Sequence, residues 1–129
     1  MPHLIIDYSA NLDDALDMAA FCNAVRVAAI ETGVFPTAGI RVRATRCEAY
    51  SIADGDPKHA YLDISVRLRE GRDLDTRKRA TDHIFTAAKS YLEPVMADRP
   101  IALSLEMRNI DAELAPKHST IRDHLKESA

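Results

Sequence analysis

Ala60-Tyr61-Leu62-Asp63-Ile64-Ser65-Val66-Arg67-Leu68-Arg69 alternates apolar and polar residues without a break. Successive side chains of a strand point to opposite faces. Leu62, Ile64, Val66 and Leu68 therefore share one face, and Tyr61, Asp63, Ser65 and Arg67 the other. Outward from this strand the period changes. Glu70-Gly71-Arg72 turns the chain, and Asp73 stands where a helix cap is needed. Ala80, Ile84, Ala87, Ala88, Tyr91 and Val95 then recur at helical spacing, which predicts a helix over 74–97. Ile101, Leu103, Leu105 and Met107, set against Ala102, Ser104, Glu106 and Arg108, predict a returning strand over 101–110.

The first half of the chain repeats this order. Residues 3–9 are apolar and partly β-branched and read as a strand. Asn11 offers an N-cap, with Asp13 and Asp14 in the first turn, and predicts a helix over 12–32. Its apolar face is Leu12, Leu16, Ala19, Cys22, Val25 and Ala29, and Gly33 and Pro36 end it. A strand over 39–50 follows, with Ile40, Val42 and Ala44 opposed to Arg41, Arg43 and Thr45. Its phase is lost at Arg46-Cys47, which predicts a bulge or bend. Ala53-Asp54-Gly55-Asp56-Pro57 is a turn by composition. The pattern repeat of about 60 residues implies two β-α-β units. Right-handed crossovers then put both helices on one face of a four-stranded sheet, an α+β (α/β) architecture.

The 129 residues suit a single domain over 1–129, whose residues from about 117 form a charged tail ending in a short helix. A net charge of −3 argues against broad nucleic-acid binding. Nothing resembles a membrane span or a signal peptide, so a cytoplasmic location is expected. Cys22 and Cys47 read as free thiols, and the five histidines are scattered. No metal-ligand, phosphate-loop or dinucleotide spacing occurs, so neither metal nor nucleotide chemistry is expected.

One face of the expected sheet is polar: Arg41, Arg43, Tyr61, Asp63, Ser65, Arg67, Ser104 and Glu106. Solvent exposure and a subunit interface explain it equally well. Two architectures share this element order, the ferredoxin-like sandwich and the tautomerase fold. RNA-binding versions of the former need stacking aromatics on the open face, and aromatic residues make up 5% of the chain. A non-catalytic regulatory or scaffold domain of ferredoxin-like topology remains an alternative.

Pro2 opens the first strand. With the initiator methionine removed, it would carry a free secondary amine, which can act as a general base near neutral pH. Three segments carry a resemblance: Pro2-His3-Leu4-Ile5-Ile6; Thr32-Gly33-Val34-Phe35-Pro36-Thr37-Ala38-Gly39-Ile40-Arg41-Val42-Arg43; and Gly71-Arg72, preceded by Ala53-Asp54-Gly55. Together they resemble the 5-carboxymethyl-2-hydroxymuconate isomerase family of the tautomerase superfamily, over nearly the whole chain.

The resemblance implies a homotrimer that needs no cofactor and uses the N-terminal proline as catalyst. It implies isomerisation of a small anionic dienol, 5-carboxymethyl-2-hydroxymuconate, to its conjugated 2-oxo isomer during homoprotocatechuate breakdown. Pro2 occupies the catalytic position. Arg41 and Arg72 match the family's active-site arginines, and Arg43 lies beside Arg41 in the motif. A related tautomerase acting on another 2-hydroxydienoate is the nearer alternative. Leu4 and Phe35 are expected as apolar walls of the pocket. His3 is expected to be structural, and Arg67 and Arg77 to be surface or interface charges.

Overall fold

A computed structural model describes residues 1–126. Four strands form one sheet in the order β2-β1-β3-β4. They are β1 (His3–Ser9), β2 (Arg41–Cys47), β3 (Ala60–Arg69) and β4 (Ile101–Ile110). β1 runs parallel to β2 and antiparallel to β3, and β3 runs parallel to β4. The helices α1 (Met18–Glu31) and α2 (Leu74–Asp98) supply the two crossovers. This is the expected pair of β-α-β units.

The core lies between the sheet and both helices. Leu4, Ile6, Leu62, Ile64, Val66 and Leu68 are fully or almost fully buried beneath Phe21, Val25 and Ala29 of α1 and Ala80, Ile84, Ala88 and Leu92 of α2. Phe21 also meets Tyr91 edge-to-face, with ring centroids 5.3 Å apart. Phe21 and Leu92 are the large residues that helical spacing alone did not select. Ala19, expected on the inner face of α1, is exposed.

The first helix starts later than expected. Its cap is Asp17, whose carboxylate accepts from Ala20 N at 3.1 Å. Asn11 instead donates to the carbonyls of His59 (2.7 Å) and Pro57 (3.3 Å), tying β1 to the turn before β3. Asp13 and Asp14 pair with Arg46 and Arg99. These partners lie far along the chain and outcompete a helix start at residue 12. The expected bulge at Arg46-Cys47 is replaced by a strand end. The β1–β2 register runs unbroken from His3↔Arg41 to Ser9↔Cys47. A one-turn helix at Thr37–Gly39 leads into β2, and another at Ile121–His124 accounts for the helical tail. Residues 127–129 of that tail lie outside the described residues. No described helix is long and apolar enough to cross a membrane.

Candidate active site

The start of the chain is held rigidly. Arg41 N donates to the Pro2 carbonyl at 3.3 Å, extending the β1–β2 pairing to the residue before β1. Pro2 is fully buried. Gly39 lies against it: a Cβ at that position would stand 3.2 Å from Pro2 Cδ. Glycine here is a matter of close approach, since its backbone angles are open to any residue.

Met1, half-buried, lies where two neighbouring cavities meet, of about 350 and 310 Å³. The sheet contributes His3, Arg41, Arg67 and Arg69 to the first. Ala115, Pro116, Lys117 and His118, from the segment after β4, close over it. The second lies between Pro36, Ala38 and Gly39 on one side and Lys117, His118, Ser119, Arg122 and Asp123 on the other, so it carries one carboxylate. No aspartate or glutamate lines the first cavity. Among the described residues, none of Arg41, Arg67, Arg69, Arg72 and Lys117 has a carboxylate within 4.0 Å. Clustered cations without counter-ions repel one another and favour an anionic occupant.

This field acts on the titratable groups. Burial, then Lys117, Arg72, Arg41 and Arg69, holds the Met1 amine below its ordinary value of 8.0. Burial and the charges of Arg41, Arg67 and Arg43 push His3 down to about 4. His3 is therefore neutral near pH 7, and its Nδ1 accepts from Arg43 Nη1 at 3.3 Å.

The sequence-derived candidates divide in three. Arg41 faces the first cavity, with Nη2 3.2 Å from Met1 Sδ and Nε 3.5 Å from the Gly39 carbonyl. Arg72 bears electrostatically on the terminal amine, but its guanidinium donates to the carbonyls of Val34 and Arg69, both at 3.1 Å. Those two bonds explain a cation beside the start of α2, the unfavourable end of the helix dipole. Arg43 lies one strand step beyond the cavity lining, on His3.

Leu4 and Phe35, expected as walls, are buried in the core instead. His3 and Arg67, expected to be structural or peripheral, line the cavity. The β1–β3 register explains this, because it sets Arg67 directly beside His3. Arg69, Lys117 and His118 were not anticipated. Arg69 follows Arg67 in phase on β3, a usable signal, whereas nothing local marks Lys117.

Part of the remaining polar sheet face is paired internally. Tyr61 Oη donates to Asp7 at 2.7 Å, and Ser104 Oγ donates to Asp63 at 2.6 Å. Among the described residues, no three His, Cys, Asp or Glu side chains group to hold a metal ion.

Comparison with known proteins agrees with this fold. Residues 2–125 match the sequence model of the family described as 5-carboxymethyl-2-hydroxymuconate isomerase. The 5-carboxymethyl-2-hydroxymuconate Delta-isomerase of Escherichia coli is 30% identical over 121 residues, 94% of this chain and 96% of the relative. A crystal structure of a 5-carboxymethyl-2-hydroxymuconate delta-isomerase superimposes with a TM-score of 0.90 at 30% identity, covering 98% of this chain and 94% of that one. A more distant likeness to native fused 4-OT has a TM-score of 0.64 at 19% identity, over 94% and 97% of the two chains. That likeness bears on the fold alone. The fold is thus that of the tautomerases, and with the family's sequence pattern running from Pro2 to Leu125, the chain belongs to the 5-carboxymethyl-2-hydroxymuconate isomerase family.

Proposed function

We propose that this chain, freed of Met1, is an enzyme that isomerises 5-carboxymethyl-2-hydroxymuconate to its conjugated 2-oxo isomer, with the Pro2 nitrogen as the base. The observation that carries the reading is the cluster of five unneutralised cations around the start of β1. It suits a substrate with several carboxylates. While Met1 remains, the Pro2 nitrogen is an amide without useful basicity. Removing Met1 exposes a secondary amine, releases Arg41 Nη2 from the Met1 sulfur and opens the space between the two cavities.

The reaction transfers one proton. Pro2 N takes the proton of the 2-hydroxyl, and the O–H electron pair becomes the C2=O π bond. The C2=C3 pair moves to C3=C4, and the C4=C5 pair takes the proton back from Pro2 at C5. A base that works in both directions must be neutral at rest and only moderately basic. Burial and surrounding cations supply that condition for an amine at this place. Arg41 binds a substrate carboxylate or the developing 2-oxygen charge through its rigid fork. Arg72 adds its charge from behind the Val34 carbonyl, and Arg43 acts through His3. The chain works as one domain of a homotrimer that packs through the polar sheet face, in the cytoplasm, in homoprotocatechuate breakdown.

The test is an ultraviolet assay of tag-free protein whose methionine removal is confirmed by mass. Conversion to the conjugated ketone, reduced about a hundredfold or more in Pro2→Ala, is expected. No rate above buffer from a confirmed Pro2 start would overturn the assignment.

A further inference from the structure

The segment after β4 is fastened at two points. At its start, Ala112 N donates to Glu70 Oε1 at 2.9 Å, which pins it to the turn between β3 and α2. At its end, the turn at Ile121–His124 packs on Thr37–Gly39, beside Pro2. Pro116-Lys117-His118 is thereby drawn across the chain start. Lys117 and His118 line both cavities that Met1 lines.

We propose that Lys117 is a substrate-binding residue of this site: the segment after β4 forms the outer wall, and the Lys117 ammonium pairs with a substrate carboxylate. The inference rests on the isomerase reading above and extends it to a residue outside the three segments that carried the resemblance. A lysine on an exposed segment is free to swing toward water or a surface carboxylate. Lys117 is itself exposed, yet the segment sets it at a cavity already holding Arg41, Arg67 and Arg69, with no carboxylate within 4.0 Å among the described residues. Such crowding of like charge is unfavourable until an anion enters. Among single charges, Lys117 also lowers the pKa of the Met1 amine most, ahead of Arg72, Arg41 and Arg69, in keeping with its place on both cavities that meet at the chain start.

The test uses the mature, tag-free chain and the variants Lys117→Met, Lys117→Arg and, as a surface control, Lys89→Met. The first readout is binding of adipate, a saturated six-carbon dicarboxylate that cannot react, followed by NMR. Lys117→Met is expected to weaken adipate binding about tenfold or more, the scale of one charge-assisted hydrogen bond. Lys117→Arg should stay within threefold of wild type, and Lys89→Met should bind like wild type. The second readout is KM for 5-carboxymethyl-2-hydroxymuconate, which should rise in Lys117→Met. Unchanged adipate affinity in Lys117→Met, or no adipate binding by the wild-type chain at millimolar concentration, overturns the proposal. If Lys117→Met loses adipate while wild type turns over no muconate, the substrate assignment falls and Lys117 stands as an anion-binding residue.

Discussion

Replacing Gly39 with alanine is expected to slow the reaction without unfolding the protein. The new Cβ would stand 3.2 Å from Pro2 Cδ. Carbon atoms prefer about 3.5–4.0 Å, so the pyrrolidine ring must retreat by about 0.3–0.8 Å. A displacement of 1 Å at a reacting group costs about a hundredfold in rate, so this shift corresponds to a loss of roughly fourfold to fortyfold. The loss belongs in kcat, because the cations proposed to bind substrate lie on β2, β3 and the segment after β4, not on the proline ring. Overpacking of this kind costs about 1–3 kcal/mol in stability, which leaves a folded protein. The assay pairs steady-state kinetics with a thermal melt on protein confirmed to begin at Pro2. A Gly39→Ala enzyme with kcat within twofold of wild type and an unchanged melt would refute the reasoning. The position of the Pro2 ring would then not control the rate.

Arg41→Ala and Arg72→Ala should each lower kcat/KM by about a hundredfold, while Arg26→Ala, which loses only a contact to Asn23, should not. Arg72→Ala should also lower the melting temperature, because the Val34 and Arg69 carbonyls lose donors worth about 1–3 kcal/mol, whereas Arg41→Ala should melt nearly as wild type. Activity should fall as pH drops through the pKa of the amine, since only the neutral amine accepts a proton. The cations that lower the pKa of the Met1 amine would act on the Pro2 amine too, so raising salt from about 0.1 M to 1 M, which shortens the screening length from about 10 to 3 Å, should move the acid limb to higher pH. His3 binds its proton more weakly when folded, at about 4 against 6.5, so stability should decline as pH falls from 6.5 toward 4. His3→Gln should flatten that decline in urea titrations across the same range. Ile64→Ala, between Ile6 and Leu105 at the sheet centre, should cost about 2–5 kcal/mol by denaturant midpoint.

What could be read from the chain in advance was whatever local period encodes. The uninterrupted alternation of 60–69 and 101–108 gave both strands with the correct inward faces, and Asp73 marked the start of α2. Asn11 misled because its amide serves carbonyls at residues 57 and 59, a demand that no local window displays. The candidate site was legible to the same degree. Pro2, Arg41 and Arg72 stand in segments with recognisable motifs. Arg67 enters only through the antiparallel pairing of β1 with β3, and Lys117 only through the return of a segment that has no periodic pattern. Arg43 looked equivalent to Arg41 by alternation, yet one further strand step carries it out to His3.

β1 lies between β2 and β3, and Pro2 at its start is buried. An aminopeptidase must grip an extended, free chain end, so it has to remove Met1 before β1 is inserted between its neighbours. Both neighbours emerge later in synthesis, the second ending at Arg69. At about 5–20 residues per second, this leaves roughly 3–14 s between the first residue and the last of β3. A chain that folds sooner no longer offers an extended end and keeps an amide at the nitrogen proposed as the base. Two preparations of this one sequence, identical in fold and melting temperature, would then differ in specific activity by the fraction of chains trimmed within that window.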